Sequence, residues 1–106
     1  MNKTVKKLDN NVVRALNVLC EQAKTNIPGF EWLTHTADYS NFPASLVVTC
    51  VFDTRLSLAN AKQNQRDAAL TKQMQKELLK VGILLKNAKA NISFDSEEAG
   101  AKDRLL

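Results

Sequence analysis

The sequence is short of the residues that most often carry metal binding or catalysis. The 106-residue chain has two cysteines, Cys20 and Cys50, and a single histidine, His35. These residues form neither a Cys-x-x-Cys nor a His-x-x-x-His spacing, which excludes a structural zinc site of the usual kind. The three glycines are widely separated and do not form a Gly-rich phosphate-binding loop. We therefore expect that the protein is not an enzyme and that it holds neither a metal ion nor a cofactor.

Long apolar runs are also missing. The longest are Ile83–Leu85 and the Leu46–Phe52 stretch interrupted by Thr49, whereas a membrane-spanning helix needs about 20 apolar residues. The basic N-terminus continues into polar residues after Leu8, so it does not resemble a signal peptide. Two cysteines are too few for a disulfide scaffold. These features predict a cytoplasmic protein that does not associate with membranes.

The composition is that of an ordinary globular domain with a basic balance. Apolar residues make up 44% of the chain and charged residues 25%, and the formal net charge is +4. A chain of this length supports one core, so residues 1–106 are predicted to form a single domain. The positive charge favours anionic partners such as nucleic acid.

The first half of the chain has one helical pattern followed by two strand patterns. Apolar residues recur every three or four positions from Val5 to Ile27, which predicts a helix at about residues 9–26, capped by Asp9 or Asn10. Residues 30–39 and 44–53 have the β-forming composition and alternation of strands. The short, turn-rich link between them predicts an antiparallel hairpin.

The second half has a longer helical pattern and a last strand. The pattern starts near Leu56, is interrupted by polar residues 62–67 and ends at Gly82, which predicts either one long helix or two helices broken near residues 63–66. Residues 90–95 alternate like a strand, and residues 97–106 are predicted to be a frayed tail or a short helix. The whole order predicts an α+β fold. It is a two-layer α-β-β-α(α)-β sandwich, in which a small three-stranded sheet carries helices on one face.

A basic helix face is the main candidate binding site. Lys72, Lys76 and Lys80 fall within one narrow sector of the second helical segment, and Lys62 and Arg66 would extend this sector if the helix were unbroken. Such a row can meet successive phosphates, although a solvated helix face has the same pattern. From these residues we predict a non-catalytic module that binds RNA.

The order of elements resembles the type II KH family, and within it the ribosome-binding factor A proteins. The resemblance depends on topology and on two segments, residues 46–53 before the helices and residues 90–95 after them. It implies association with ribosomal RNA. KH modules clamp the nucleic-acid backbone with a GXXG loop between helices, and this chain has Lys62-Gln63-Asn64-Gln65-Arg66 there instead.

A second resemblance concerns residues 6–10 and 29–35. These segments are similar to small bacterial proteins labelled as regulators of the factor-for-inversion-stimulation type, which implies DNA binding through a C-terminal helix-turn-helix. The C-terminal pattern here is instead a strand followed by Ser96-Glu97-Glu98, whose acids would repel phosphate.

Two further residue sets have alternative interpretations. Asp53 and Asp95 each follow a phenylalanine at a strand end, where they either form a carboxylate pair or act as local turn and cap residues. Cys20 and Cys50 lie in apolar segments and are predicted to be buried, not paired with His35 for catalysis.

Apolar residues on the two faces of the predicted hairpin have further alternative roles. Trp32 is predicted to pack beneath a helix rather than to stack on bases. Val47 and Val51 make the outer face of the hairpin partly apolar, which gives the alternative function of a protein-interaction or homodimer module.

Overall fold

The computed structural model describes residues 3–98 and has the element order predicted from the sequence. Its α+β class is confirmed, because three helices pack on one face of a three-stranded sheet. The elements are α1 (Lys3–Asn26), β1 (Phe30–Thr36), β2 (Val47–Phe52), α2 (Arg55–Gln63), α3 (Arg66–Lys80) and β3 (Ile92–Ser96), with 3-10 turns at Tyr39–Asn41 and Ala88–Asn91.

The sheet has the order β1-β2-β3. Strand β2 is central, antiparallel to β1 and parallel to β3, so that Cys50 pairs with Leu33 on one side and with Phe94 on the other. The predicted hairpin is thus confirmed. The parallel pair requires a long connection between β2 and β3, which α2 and α3 provide.

The core lies between the inner face of the sheet and the helices. Leu19 of α1, Met74 of α3 and Phe52 of β2 have no exposed surface. The ring of Phe30 meets that of Phe52 edge to face, with centroids 5.8 Å apart. Burial of a large apolar side chain contributes about 1.5–3 kcal/mol, so this layer supplies most of the driving force for folding.

The second helical segment consists of two helices. The chain turns at Asn64 and at Gln65, which has a φ of 60° in the left-handed region and starts α3. At the other end of α3, Gly82 adopts a φ of 82°. There Ile83 N donates to Leu78 O at 2.9 Å and Gly82 N donates to Leu79 O at 2.9 Å. This is the Schellman stop that the Gly-Ile pair predicts.

The ends of two elements differ from the sequence prediction. Helix α1 begins by Lys3, so Asp9 lies inside the helix and does not cap it. Its carboxylate instead accepts a hydrogen bond from the Tyr39 hydroxyl at 2.6 Å. Strand β1 ends at Thr36 because Asp38 caps a 3-10 turn, accepting from Ser40 N at 3.0 Å.

The prediction for Trp32 is wrong. A β-bulge interrupts the pairing between Phe30, which is opposite Phe52, and Trp32, which is opposite Val51. The extra residue changes the alternation, so Phe30 enters the core while Trp32 points to the outer face and is 39% exposed. Trp32 therefore does not lie beneath a helix.

The described chain ends with strand β3 and two helical residues, Glu97 and Glu98. The Glu98 carboxylate accepts a hydrogen bond from the Arg55 backbone N at 3.1 Å, next to the Thr54 cap of α2. Residues 99–106 of the predicted tail lie outside the described residues. No helix within residues 3–98 is both long and apolar enough to cross a membrane.

Candidate nucleic-acid interface

Helix α3 presents its three lysines to solvent. Lys72, Lys76 and Lys80 are all exposed, as expected for residues spaced four apart on one helical sector. Each step of four residues rotates the side chain by about 40° around the axis, so the row winds across the helix. Lys72 and Lys80 consequently face different surroundings at the two ends of this row.

Lys72 lies on a groove that runs between α3 and the segment leading into β3. We call it the lysine groove, because Lys72 on one wall faces Lys86 and Lys89 on the other. Its volume is about 840 Å³, and Ile92 and Phe94 of β3 form part of its floor. Asp67 is the one acid among the described residues that line it. Because a cleft with an excess of one sign of charge focuses the electrostatic potential, the three lysines make this groove a candidate site for an anionic ligand.

Lys86 and Lys89 were missed at the sequence level. They lie in the connection between α3 and β3, outside any helical pattern, and so they share no periodicity with the lysines of α3. The weak signal was their own spacing of three within the sequence Lys86-Asn87-Ala88-Lys89. Only the return of the chain to β3 brings them opposite Lys72.

The other predicted residues do not join this groove. Lys62 belongs to α2, which the turn at Asn64–Gln65 separates from α3. Arg66 instead lines a cavity of about 380 Å³ with residues of α1 that include Leu19 and Ala23. The five predicted basic residues are therefore distributed over three surfaces. The turn separates Lys62 from α3, and the step from Arg66 to Lys72 along α3 rotates the side chain by about 120° around the helix axis.

Lys80 is engaged by a buried carboxylate. Its Nζ lies 3.2 Å from Oε2 of Glu77, which is only 5% exposed, and Gln73 Nε2 donates to the same oxygen at 2.6 Å. Because a buried carboxylate needs such partners, Lys80 has a structural role. Within residues 5–98, neither Lys72 nor Lys76 has a carboxylate ion-pair partner, which leaves both ammonium groups available to a ligand.

Asp53 and Asp95 act locally. Each carboxylate accepts a hydrogen bond from the next backbone N, at 2.7 Å from Thr54 and at 2.8 Å from Ser96. Hydrogen bonds from the Ser57 side chain and from Thr54 lower the pKa of Asp53, so it is ionised at neutral pH. No three His, Cys, Asp or Glu side chains in the described part of the chain are grouped to hold a metal ion.

The two cysteines and the histidine have different surroundings, and Cys20, which was predicted to be buried, is only partly buried. Cys50 is fully buried in the core, and this burial, with a smaller contribution from nearby Cys20, raises the pKa of its thiol to about 12. A thiol of this pKa is protonated at neutral pH and is a poor nucleophile. His35 Nε2 lies 3.7 Å from Asp9 Oδ1 on α1.

The outer face of the sheet is a second candidate surface. Trp32 and Val47 are more than a third exposed, and Thr49 and Ser93 share a 2.9 Å hydrogen bond between them across β2 and β3. The described helices all lie on the opposite face. The register assigns the following side chains to this outer face: Trp32, Thr34, Thr36, Val47, Thr49, Val51, Ser93 and Asp95.

The two surfaces differ in chemistry. The lysine groove is concave and cationic, whereas the outer face has no Lys or Arg among its residues. Comparisons of the chain with protein-family models, with curated proteins and with solved structures find no match. What these surfaces bind must therefore be inferred from their own residues.

Proposed function

We propose that the protein is a non-catalytic module that binds ribosomal RNA through the lysine groove and the adjoining face of α3. The observation that carries the proposal is the convergence of Lys72, Lys86 and Lys89 on one open groove, where Asp67 is the one acid among the described lining residues. Lysine ammonium groups bind phosphates as point charges, and neutralising several phosphates supplies most of the affinity of a nucleic-acid complex.

Two further features support the proposal. Lys76 continues the basic surface from Lys72 along the exposed side of α3. The proposal also draws on the resemblance of the element order to that of type II KH proteins, which implies RNA binding. The α2–α3 turn, Asn64–Gln65, has no GXXG sequence, so the proposal assigns the phosphates to the groove lysines rather than to that turn.

The salt dependence of binding tests the proposal. Fluorescence anisotropy would measure the affinity for a labelled single-stranded RNA over a range of salt concentrations. Lys72→Gln and Lys89→Gln should each weaken binding and lower the slope of log K against log salt by roughly 0.7 per lost phosphate contact. Lys24→Gln is the matched control, because Lys24 is exposed at the end of α1, away from the groove. Equal effects of all three changes would refute a groove-specific site.

Ribosome association has its own test. Tagged protein in cell lysate should sediment with a ribosomal subunit at low salt and should leave it at high salt or after nuclease treatment. A charge-reversed Lys72→Glu, Lys89→Glu protein should stay at the top of the gradient. Sedimentation of wild type that survives both treatments would point to a protein contact instead.

A protein-interaction or homodimer module is the second candidate function, and the exposed outer face of the sheet favours it. Trp32 is the only tryptophan, and it lies on that face beside Val51. Its fluorescence should therefore shift with concentration if two copies associate there. A monomer at high concentration by light scattering, with an unchanged Trp32 spectrum, would exclude the homodimer.

A further inference from the structure

A smaller pocket adjoins the lysine groove at the loop end of the sheet. We call it the Pro43 pocket; it has a volume of about 340 Å³, within the range of small-ligand sites. Its walls are mainly apolar and come from the β1–β2 connection and from the segment that follows α3. The apolar wall residues are Phe42, Pro43, Ala44, Leu84, Leu85 and Ala90.

The pocket and the groove share two residues. Lys86 and Asn87 line both, so the pocket and the groove meet at this segment of the chain. The ligand best suited to both is a polymer that has a negative charge and a flat apolar group in each repeat. A single nucleic-acid strand has this chemistry, because its unpaired bases stack on apolar side chains while its phosphates meet lysines.

The wall of the pocket is held in place before any ligand binds. Asn91 is 5% exposed, and its Nδ2 donates to Leu46 O at 2.7 Å and to Pro43 O at 3.1 Å. These bonds join the loop that contains Phe42 and Pro43 to the start of β3. A preformed wall reduces the ordering cost of binding.

From this continuity we infer that the Pro43 pocket receives one unpaired base of the RNA strand whose phosphates lie in the lysine groove. The rings of Phe42 and Pro43 supply flat apolar surface for the base, and Lys86 at the mouth binds the adjoining phosphate. This inference rests on the proposed function and adds a base subsite to it. A base in a duplex is paired and stacked, so the subsite selects single strands.

The test compares two labelled strands of equal length and charge, one an oligoadenylate and one with abasic ribose throughout. By anisotropy, the wild-type protein should bind oligoadenylate at least about fivefold more tightly, since one base stacked on protein side chains contributes at least that factor. Ala90→Leu, which fills the pocket, should weaken oligoadenylate binding to the level of the abasic strand. Its salt slope should match that of wild type.

Two other variants make the result specific. Leu84→Ala shortens a side chain that forms part of the pocket wall, so it should lower the preference for bases. Because Leu84 is 62% exposed, this change should not affect folding. Ala59→Leu is the matched control, because Ala59 is exposed on α2 and does not line the pocket. Thermal unfolding followed by circular dichroism would verify that each variant is folded.

The possible failures are distinguishable. Equal binding of the two strands, with dependence on Lys72, would overturn the base subsite and leave the proposed function standing. If the protein binds neither strand, both the base subsite and the proposed function are overturned. A third outcome is that an acidic, leucine-containing peptide binds and oligoadenylate does not, and that Ala90→Leu weakens binding of the peptide. This outcome would assign the pocket to a protein partner and would also contradict the inference.

Discussion

Replacement of Asn91 by aspartate should destabilise the protein strongly, although the two side chains have nearly the same shape. The Asn91 amide donates to the carbonyl oxygens of Leu46 and Pro43, and its bond to Ala44 O is longer, at 3.4 Å. An ionised carboxylate has no proton to donate, so it would face these oxygens with a negative charge. The change therefore converts a buried attraction into a repulsion.

The magnitude follows from the two short bonds. Pro43 O also accepts from Leu46 N at 3.1 Å and keeps that partner, so the main loss is at Leu46 O. A buried polar group without its partner costs about 1–3 kcal/mol, and more where a charge is involved. We therefore expect Asn91→Asp to lower the free energy of unfolding by about 2–4 kcal/mol at neutral pH, out of a total of about 5–15 kcal/mol.

Urea unfolding followed by circular dichroism would measure this loss, with the slope m unchanged. At acid pH the introduced carboxyl group is protonated and can donate, so part of the loss should be recovered. Asn17→Asp is the control, because Asn17 is exposed on α1. If Asn91→Asp were as stable as this control, the Asn91 bonds would not hold the loop.

Three more predictions concern individual side chains. Burial, and then the hydrogen bond to Asp9, raise the pKa of Tyr39 from 10.0 to about 12. Its contribution to stability is therefore complete below pH 10 and lost as the pH rises through about 12; phenolate absorbance of this sole tyrosine should show the shift, and Asp9→Ala should reduce it. A Cβ at Gly29 would meet the Ser57 side chain, whereas Gly82 has open space and a similar positive φ. Gly29→Ala should thus destabilise the protein more than Gly82→Ala in urea melts, and equal losses would contradict this contact. Because Cys50 is buried with a thiol pKa of about 12, thiol reagents at mildly alkaline pH should modify it only after unfolding, and rapid modification of both thiols in the folded protein would argue against that burial.

The fold was predictable because local patterns determine it. Every second residue of β2 is buried from Val48 to Phe52, and the apolar positions of α3 recur as a helical stripe. Gly82 marks the end of α3 in the sequence as it does in the structure. The direction of β3 was left open by the sequence, and the structure shows it parallel to β2, with the helical crossover that such a pair requires.

The candidate site was less predictable, since it depends on residues that are distant in sequence. Lys72 could be identified from helical spacing, but Lys86 and Lys89 face it only after β3 has paired with β2. The bulge that exposes Trp32 inserts one residue into a strand and leaves no clear mark in the composition. Glu77 is buried, and its partners are Gln73 and Lys80. The same three residue types at this spacing also occur on exposed helix faces, so the sequence did not indicate the burial.

The parallel β2–β3 pair has a consequence for the order of folding. It joins residues that are 44 positions apart, such as Thr49 and Ser93, whereas β1 and β2 are neighbours in the chain. Closing the longer loop has the greater entropy cost, so we expect the hairpin to form early and β3 to dock late. One wall of the lysine groove and the Asn91 contacts exist only after β3 has docked. The basic groove is thus assembled by the final step of folding, and a chain that has not completed that step would have the lysines but no site.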